Sequence, residues 1–118
     1  MFSEKLLEHF QHPRNTGELP GATARVEVSN PVCGDILHLA VSVETGVVRQ
    51  ARFMCRGCTA SIACASLLTE KMIGHPLREI SATEISSELG GLPEASFHAA
   101  QLAQDASKAM LQKILDTD

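Results

Sequence analysis

The chain has no tryptophan and no tyrosine, and its aromatic content is only 3%. Without a row of aromatic faces for bases to stack on, a single-strand nucleic-acid platform is not expected. There is no basic run either. Ten Lys+Arg stand against 14 Asp+Glu, for a net charge of -4, the wrong sign for a phosphate-backbone binder. No window reaches the roughly 18 apolar residues of a membrane span. The opening "MFSEKLLEHFQHPRN" is interrupted by acidic residues and lacks the apolar stretch of a secretory signal. These absences lead to the expectation of a cytoplasmic protein that engages neither nucleic acid nor membrane. In a reducing compartment its four cysteines more often bind metal, do redox chemistry or pack than form staples. No Ser-His-Asp order, phosphate-cradling glycine loop or paired general acid and base stands out, so a conventional hydrolase is not expected.

What is present suits one packed domain spanning residues 1–118, since 44% of the chain is hydrophobic and no repeat or linker interrupts it. "SEKLLEHFQHP" reads as a helix capped by Ser3 and stopped by Pro13, with Leu6, Leu7 and Phe10 as its apolar stripe. The period then falls to two. Ala24, Val26 and Val28 alternate with polar residues, and Leu37, Leu39, Val41 and Val43 alternate with His38 and Ser42. Thr45-Gly46 reverses the chain into a third strand, "VVRQARFMC". Three short strands with short connections predict an antiparallel meander. From Thr59 the period is helical, with Ile62, Ala65, Leu68 and Met72 on one stripe; "SATE" at 81–84 fits a capping box, and a long helix follows Pro93. Strands early and helices late make an α+β domain: a three-stranded antiparallel sheet packed against several helices, the C-terminal one long.

Two turns carry chemistry. Cys33 lies in "NPVCGD" between two strands, beside Gly34 and two residues before Asp35. Cys58 lies where a strand gives way to a helix, and a helix N-terminus favours the thiolate, the form that binds metal. Gly34 and Gly57 leave room for a bulky ligand near the backbone. If the meander brings both turns to one end of the sheet, Cys33, Asp35 and Cys58 converge on a site suited to zinc or to an iron–sulfur cluster. A pair of buried, inert cysteines is the competing reading.

"NPVCGD", "GCTASIACASLLTE" and "FHAAQLAQDASKA", in that order, together with the opening "SEKLLEHFQHPRNTGELPGA", resemble the NifU/IscU-type iron–sulfur cluster assembly scaffolds. The resemblance covers essentially the whole chain. It implies a non-catalytic protein holding a transient 2Fe–2S cluster, or an iron or zinc ion, with sulfur supplied by a cysteine desulfurase and clusters passed to recipient apoproteins. The ligand positions it implies are Cys33, Asp35, Cys58 and His98. Relatives carry a third cysteine directly after that histidine, where this chain has Ala99. A two-Cys, Asp, His set is adequate for four-coordinate zinc, and mixed Cys/His ligation of 2Fe–2S clusters exists.

Cys55 forms C-x-x-C with Cys58, a spacing compatible with metal ligation or with a dithiol pair, and is the candidate substitute ligand. Cys64 sits six residues into the helix from Cys58, roughly 120° around it, and reads as a small core residue. Glu94-Ala95-Ser96 replace the proline, valine and lysine through which some relatives engage an Hsp70-type chaperone, which speaks against chaperone-driven release. His9 and His12 read as surface residues, and His38 and His75 have no partner in sequence. Two other functions compete with the scaffold: a zinc-holding sulfur acceptor or desulfurase partner of the same fold, and a dithiol oxidoreductase using Cys55 and Cys58.

Overall fold

The computed structural model describes residues 2–31 and 34–116. Along the chain run helix α1 (Glu4–Gln11), strands β1 (Ala24–Ser29), β2 (Ile36–Glu44) and β3 (Val47–Arg56), then helices α2 (Thr59–Met72), α3 (Ala82–Glu88) and α4 (Phe97–Asp116), with a 3-10 turn at Glu94–Ser96 before the last. The strands form an antiparallel sheet in the order β1-β2-β3, which is the predicted meander. Thr45 and Gly46 both have positive φ (50° and 79°), as the tightest hairpin reversals require. A bulge beside Val43 follows that turn.

Alternation decides which face is buried. Leu37, Leu39 and Val41 are at most 1% exposed, as are Val48 and Ala51 on β3. Against this face lie α4, packed on β1, and α2, packed on β3, with the two helices touching each other. The opposite face carries His38, whose Nδ1 lies 3.5 Å from Glu27; the expectation that His38 lacks a partner is corrected by this cross-strand pair.

The core is rich in small side chains. α2 buries Ala60, Ala63, Cys64, Ala65, Ser66, Leu68 and Thr69, and α4 buries Ala99, Ala100, Ala103, Ala106 and Ser107. Small residues at a helix contact let backbones approach closely, so this domain reaches a dense interior with Phe53 as the one buried aromatic among the described residues. The expected single stripe on α2 is therefore too narrow: the helix is buried nearly all round, between sheet, α4 and α1, and in its first turns Thr59 and Ile62 are half-exposed.

α1 turns its flank differently from the expected stripe. Leu6 is fully buried, but Leu7 and Phe10 are 37% and 36% exposed. The inward position belongs to His9. Its Nδ1 lies 2.8 Å from Ser66 Oγ, and its Nε2 lies 3.4 Å from Glu70. Ser66 also accepts the Arg14 backbone N–H at 2.9 Å. His9 is thus a fastener between α1 and α2 rather than a surface residue, and burial among these groups pulls its pKa below the usual 6.5.

The β3 edge of the sheet is covered, and the β1 edge is capped at one carbonyl. Residues 15–17 run beside β3, with Phe53 N–H donating to Asn15 O and Gly17 N–H donating to Phe53 O, each at 2.9 Å. On β1, Lys113 of α4 donates to the Arg25 carbonyl at 2.7 Å. Covered edges leave fewer free backbone groups for pairing with another chain. No helix among the described residues is long and apolar enough to cross a membrane.

Candidate metal and cluster site

The site lies at the end of the sheet where β2 begins and β3 ends. The chain approaches β2 through a tight loop: Gly34, at φ 76°, donates to Asn30 O at 2.7 Å, and Asn30 donates to Asp35 O at 2.9 Å. Gly34 is needed there for its left-handed backbone. This loop delivers Asp35 to the sheet end with its side chain on the core side, 6% exposed.

Across from it, Gly57 is where the sequence expectation needs correcting. The open space at Gly57 is not reserved for a ligand, because Asp35 fills it. A Cβ on Gly57 would meet the Asp35 carboxyl carbon at 2.8 Å, far closer than two carbons approach.

One residue on, Cys58 occupies the N-cap position of α2 without making a side-chain cap bond. Its Sγ is exposed, 3.5 Å from Asp35 Oδ2 and 3.3 Å from Ser61 Oγ. Ser61, 2% exposed in the first turn of α2, donates its hydroxyl to the same Asp35 oxygen. A buried carboxylate needs such donors to remain charged. Ser61 was not singled out from the sequence; its signal is only that it stands three residues after Cys58, facing back toward the helix start.

The third donor comes from the far end of the chain. The 3-10 turn Glu94–Ser96 leads into α4 and sets His98 in the helix's first turn, with Nδ1 3.2 Å from the Ala95 carbonyl. A carbonyl only accepts, so the tautomer that uses this contact carries its proton on Nδ1 and presents the Nε2 lone pair as the ligand atom. Nε2 lies 3.9 Å from Asp35 Oδ2. Ala95 is the second residue that the sequence reading missed.

Asp35, Cys58 and His98 therefore each offer one ligand atom, all within 4.8 Å of one another. Tetrahedral coordination at ordinary metal–ligand lengths puts ligand atoms about 3.3–3.8 Å apart; the 3.5 Å between Cys58 and Asp35 already fits, and the His98 Nε2 at 3.9 Å from Asp35 has to draw inward. Three of the four expected ligands thus converge; Cys33, the fourth, lies outside the described residues.

The other thiols differ. Cys55 is half-buried at the end of β3 and outside the 4.8 Å group. Burial, and then the charges of Asp35 and Cys58, push its pKa up to about 11. Cys64 is fully buried and pushed up to about 12, chiefly by burial. It is the core residue the sequence suggested. All three described cysteines are unbridged. Ala99, where a thiol was missed, is 1% exposed and part of the core.

Comparison with known proteins identifies the family. Residues 1–116 match the NifU-like N terminal domain family. The chain is 39% identical to the iron-sulfur cluster assembly scaffold protein IscU of Azotobacter vinelandii, over 94% of this chain and 91% of that one. It is 38% identical to the scaffold protein of the same name from Escherichia coli, over 93% and 91%. In fold it is similar to a nitrogen-fixing NifU-like protein (N-terminal) from Brucella abortus, at a TM-score of 0.78 and 19% identity, covering 98% of this chain and 95% of the other. With sequence and fold in accord, this chain belongs to the NifU-like N-terminal domain family.

Proposed function

We propose that this protein is an iron–sulfur cluster assembly scaffold. Its single domain, residues 1–118, holds a 2Fe–2S cluster as cargo through Cys33, Asp35, Cys58 and His98 and passes it to apoproteins. The observation that carries this reading is the convergence of a carboxylate, a thiol and an imidazole within 4.8 Å, in a chain 39% identical to a protein named as such a scaffold. Thiolate and imidazole are established cluster ligands, and the same donors would accept an iron or zinc ion before sulfide arrives.

The site is built for temporary tenancy. Cys58 is exposed, so an incoming sulfur donor and a departing cluster have access. One oxygen and one nitrogen ligand bind less firmly than a closed set of four thiolates would. In this reading sulfur comes from a cysteine desulfurase, the protein works in the cytoplasm, and it performs no catalysis of its own. The zinc-holding sulfur acceptor and the dithiol oxidoreductase are not favoured.

Anaerobic reconstitution with ferrous iron and sulfide tests the proposal. A 2Fe–2S absorption spectrum is expected for the wild-type protein, with its loss in Cys33→Ala and Cys58→Ala. A spectrum unchanged in both variants would overturn it.

A further inference from the structure

The position of Cys55 follows from strand geometry. Side chains alternate along β3, so Cys55 points to the same side as Ala51 and Phe53, both buried against the helices. Gly57 has the same parity, and it is against Gly57 that the Asp35 carboxyl lies. Directly across the ladder Cys55 pairs with Leu37, two residues beyond Asp35 on the same face. Cys55 and Asp35 are thus diagonal neighbours on one face, a relation that spans about 7–8 Å between backbones and less between Cβ atoms. Two short side chains directed across that gap can reach a common atom between them.

Among the described residues, α2 and α4 bring no further thiol to the site. Ala99 beside His98 offers no donor and is part of the core. Cys64 is completely buried a turn and a half further along α2. Cys55 is instead half-exposed and sits with Cys58 in the C-x-x-C spacing that brackets metal ions elsewhere.

We propose that Cys55 is a further thiolate ligand of this site, swinging from its packed position to join Asp35, Cys58 and His98 when a metal enters. This rests on the scaffold reading above. The site then draws its second thiol of the C-x-x-C pair from the strand, in place of one from α4.

Anaerobic cobalt(II) titration tests it, because each bound thiolate adds sulfur-to-metal charge-transfer absorption. With Cys55 among the ligands, Cys55→Ser should lose one thiolate's share of that band at saturating cobalt, while Cys64→Ser should lose none. In wild-type protein, where no substitution disturbs folding, cobalt should slow alkylation of both Cys55 and Cys58 by iodoacetamide, read by peptide mass spectrometry. A full band in Cys55→Ser, or protection of Cys58 with Cys55 alkylated at its metal-free rate, would overturn the Cys55 assignment and leave the scaffold reading standing. Wild-type protein that takes up no cobalt, or a full band in Cys58→Ser, would overturn both.

Discussion

The carboxyl carbon of Asp35 lies 2.8 Å from the point where a side chain on Gly57 would begin. The glycine at the end of β3 is therefore a space held open for the aspartate. Gly57→Ala is expected to push Asp35 off the sheet end. Moving a group that orients the donor set typically costs 10–100-fold in metal affinity, and overpacking at this buried contact should cost about 1–3 kcal/mol of stability. Cobalt titration and urea unfolding measure the two effects. Unchanged affinity would show that Asp35 is not a ligand.

Ser61 donates to the Asp35 carboxylate from inside α2. Ser61→Ala removes that donor while Asp35 stays buried. The expected destabilisation is about 1–3 kcal/mol, read as a lower urea midpoint at neutral pH. The loss should shrink in an Asp35→Asn, Ser61→Ala double variant, since the charge that needs the donor is gone. Additive losses would mean that the two side chains do not interact.

The His9 fastener should be sensitive to acid. The neutral ring, with its proton on Nε2 toward Glu70, accepts the Ser66 hydroxyl at Nδ1; protonating Nδ1 abolishes that acceptor. Because the folded-state pKa is below 6.5, the unfolded chain binds the proton more readily. The stabilisation is therefore complete above pH 6.5 and is lost as pH falls through the folded value. Tm should fall on acidification over this window in wild-type protein and fall less in His9→Gln. An NMR titration placing the His9 pKa above 6.5 would contradict the prediction.

A surface cluster ties α3 to the rest. Glu84 meets Arg78 at 2.8 Å and Lys71 of α2 at 2.6 Å, with Glu88 also on the lysine. The two cations hold the Glu84 pKa at about 2, down from 4.5. Stability from this cluster is present above pH 4.5 and disappears as pH falls toward 2. Solvent screening limits it: Glu84→Gln should cost about 0.5–1 kcal/mol at pH 7 in low salt. Molar salt should remove most of the difference.

How much of this was legible in the chain depends on the range of the signal. Period-two and helical patterns are local, so the meander and all four helices could be read directly. The Ser81 cap even matches in detail, its Oγ accepting from Glu84 N–H at 3.1 Å. The α1 stripe failed because His9 is drawn inward by Ser66, 57 residues away, a partner no local pattern reveals. Cys58 and Asp35 were visible because each stands beside a turn or a helix start, whereas His98 entered only through the family resemblance. The supports were not visible. Ser61 looks like any small helical residue, and the need for Gly57 exists only once another strand brings Asp35 against it.

The 3-10 turn ahead of His98 buries none of its side chains. Segments with so little apolar contact open locally at small cost, whereas Asp35 and Cys58 are anchored to the sheet and to a helix buried nearly all round. Opening that turn removes the Ala95 carbonyl that holds the His98 ring, while His98 itself stays on α4 beside the buried Ala99 and Ala100. The imidazole can then rotate in place while the carboxylate and the thiol keep their positions. One ligand is thereby loosened without any movement of the backbone that carries the other two.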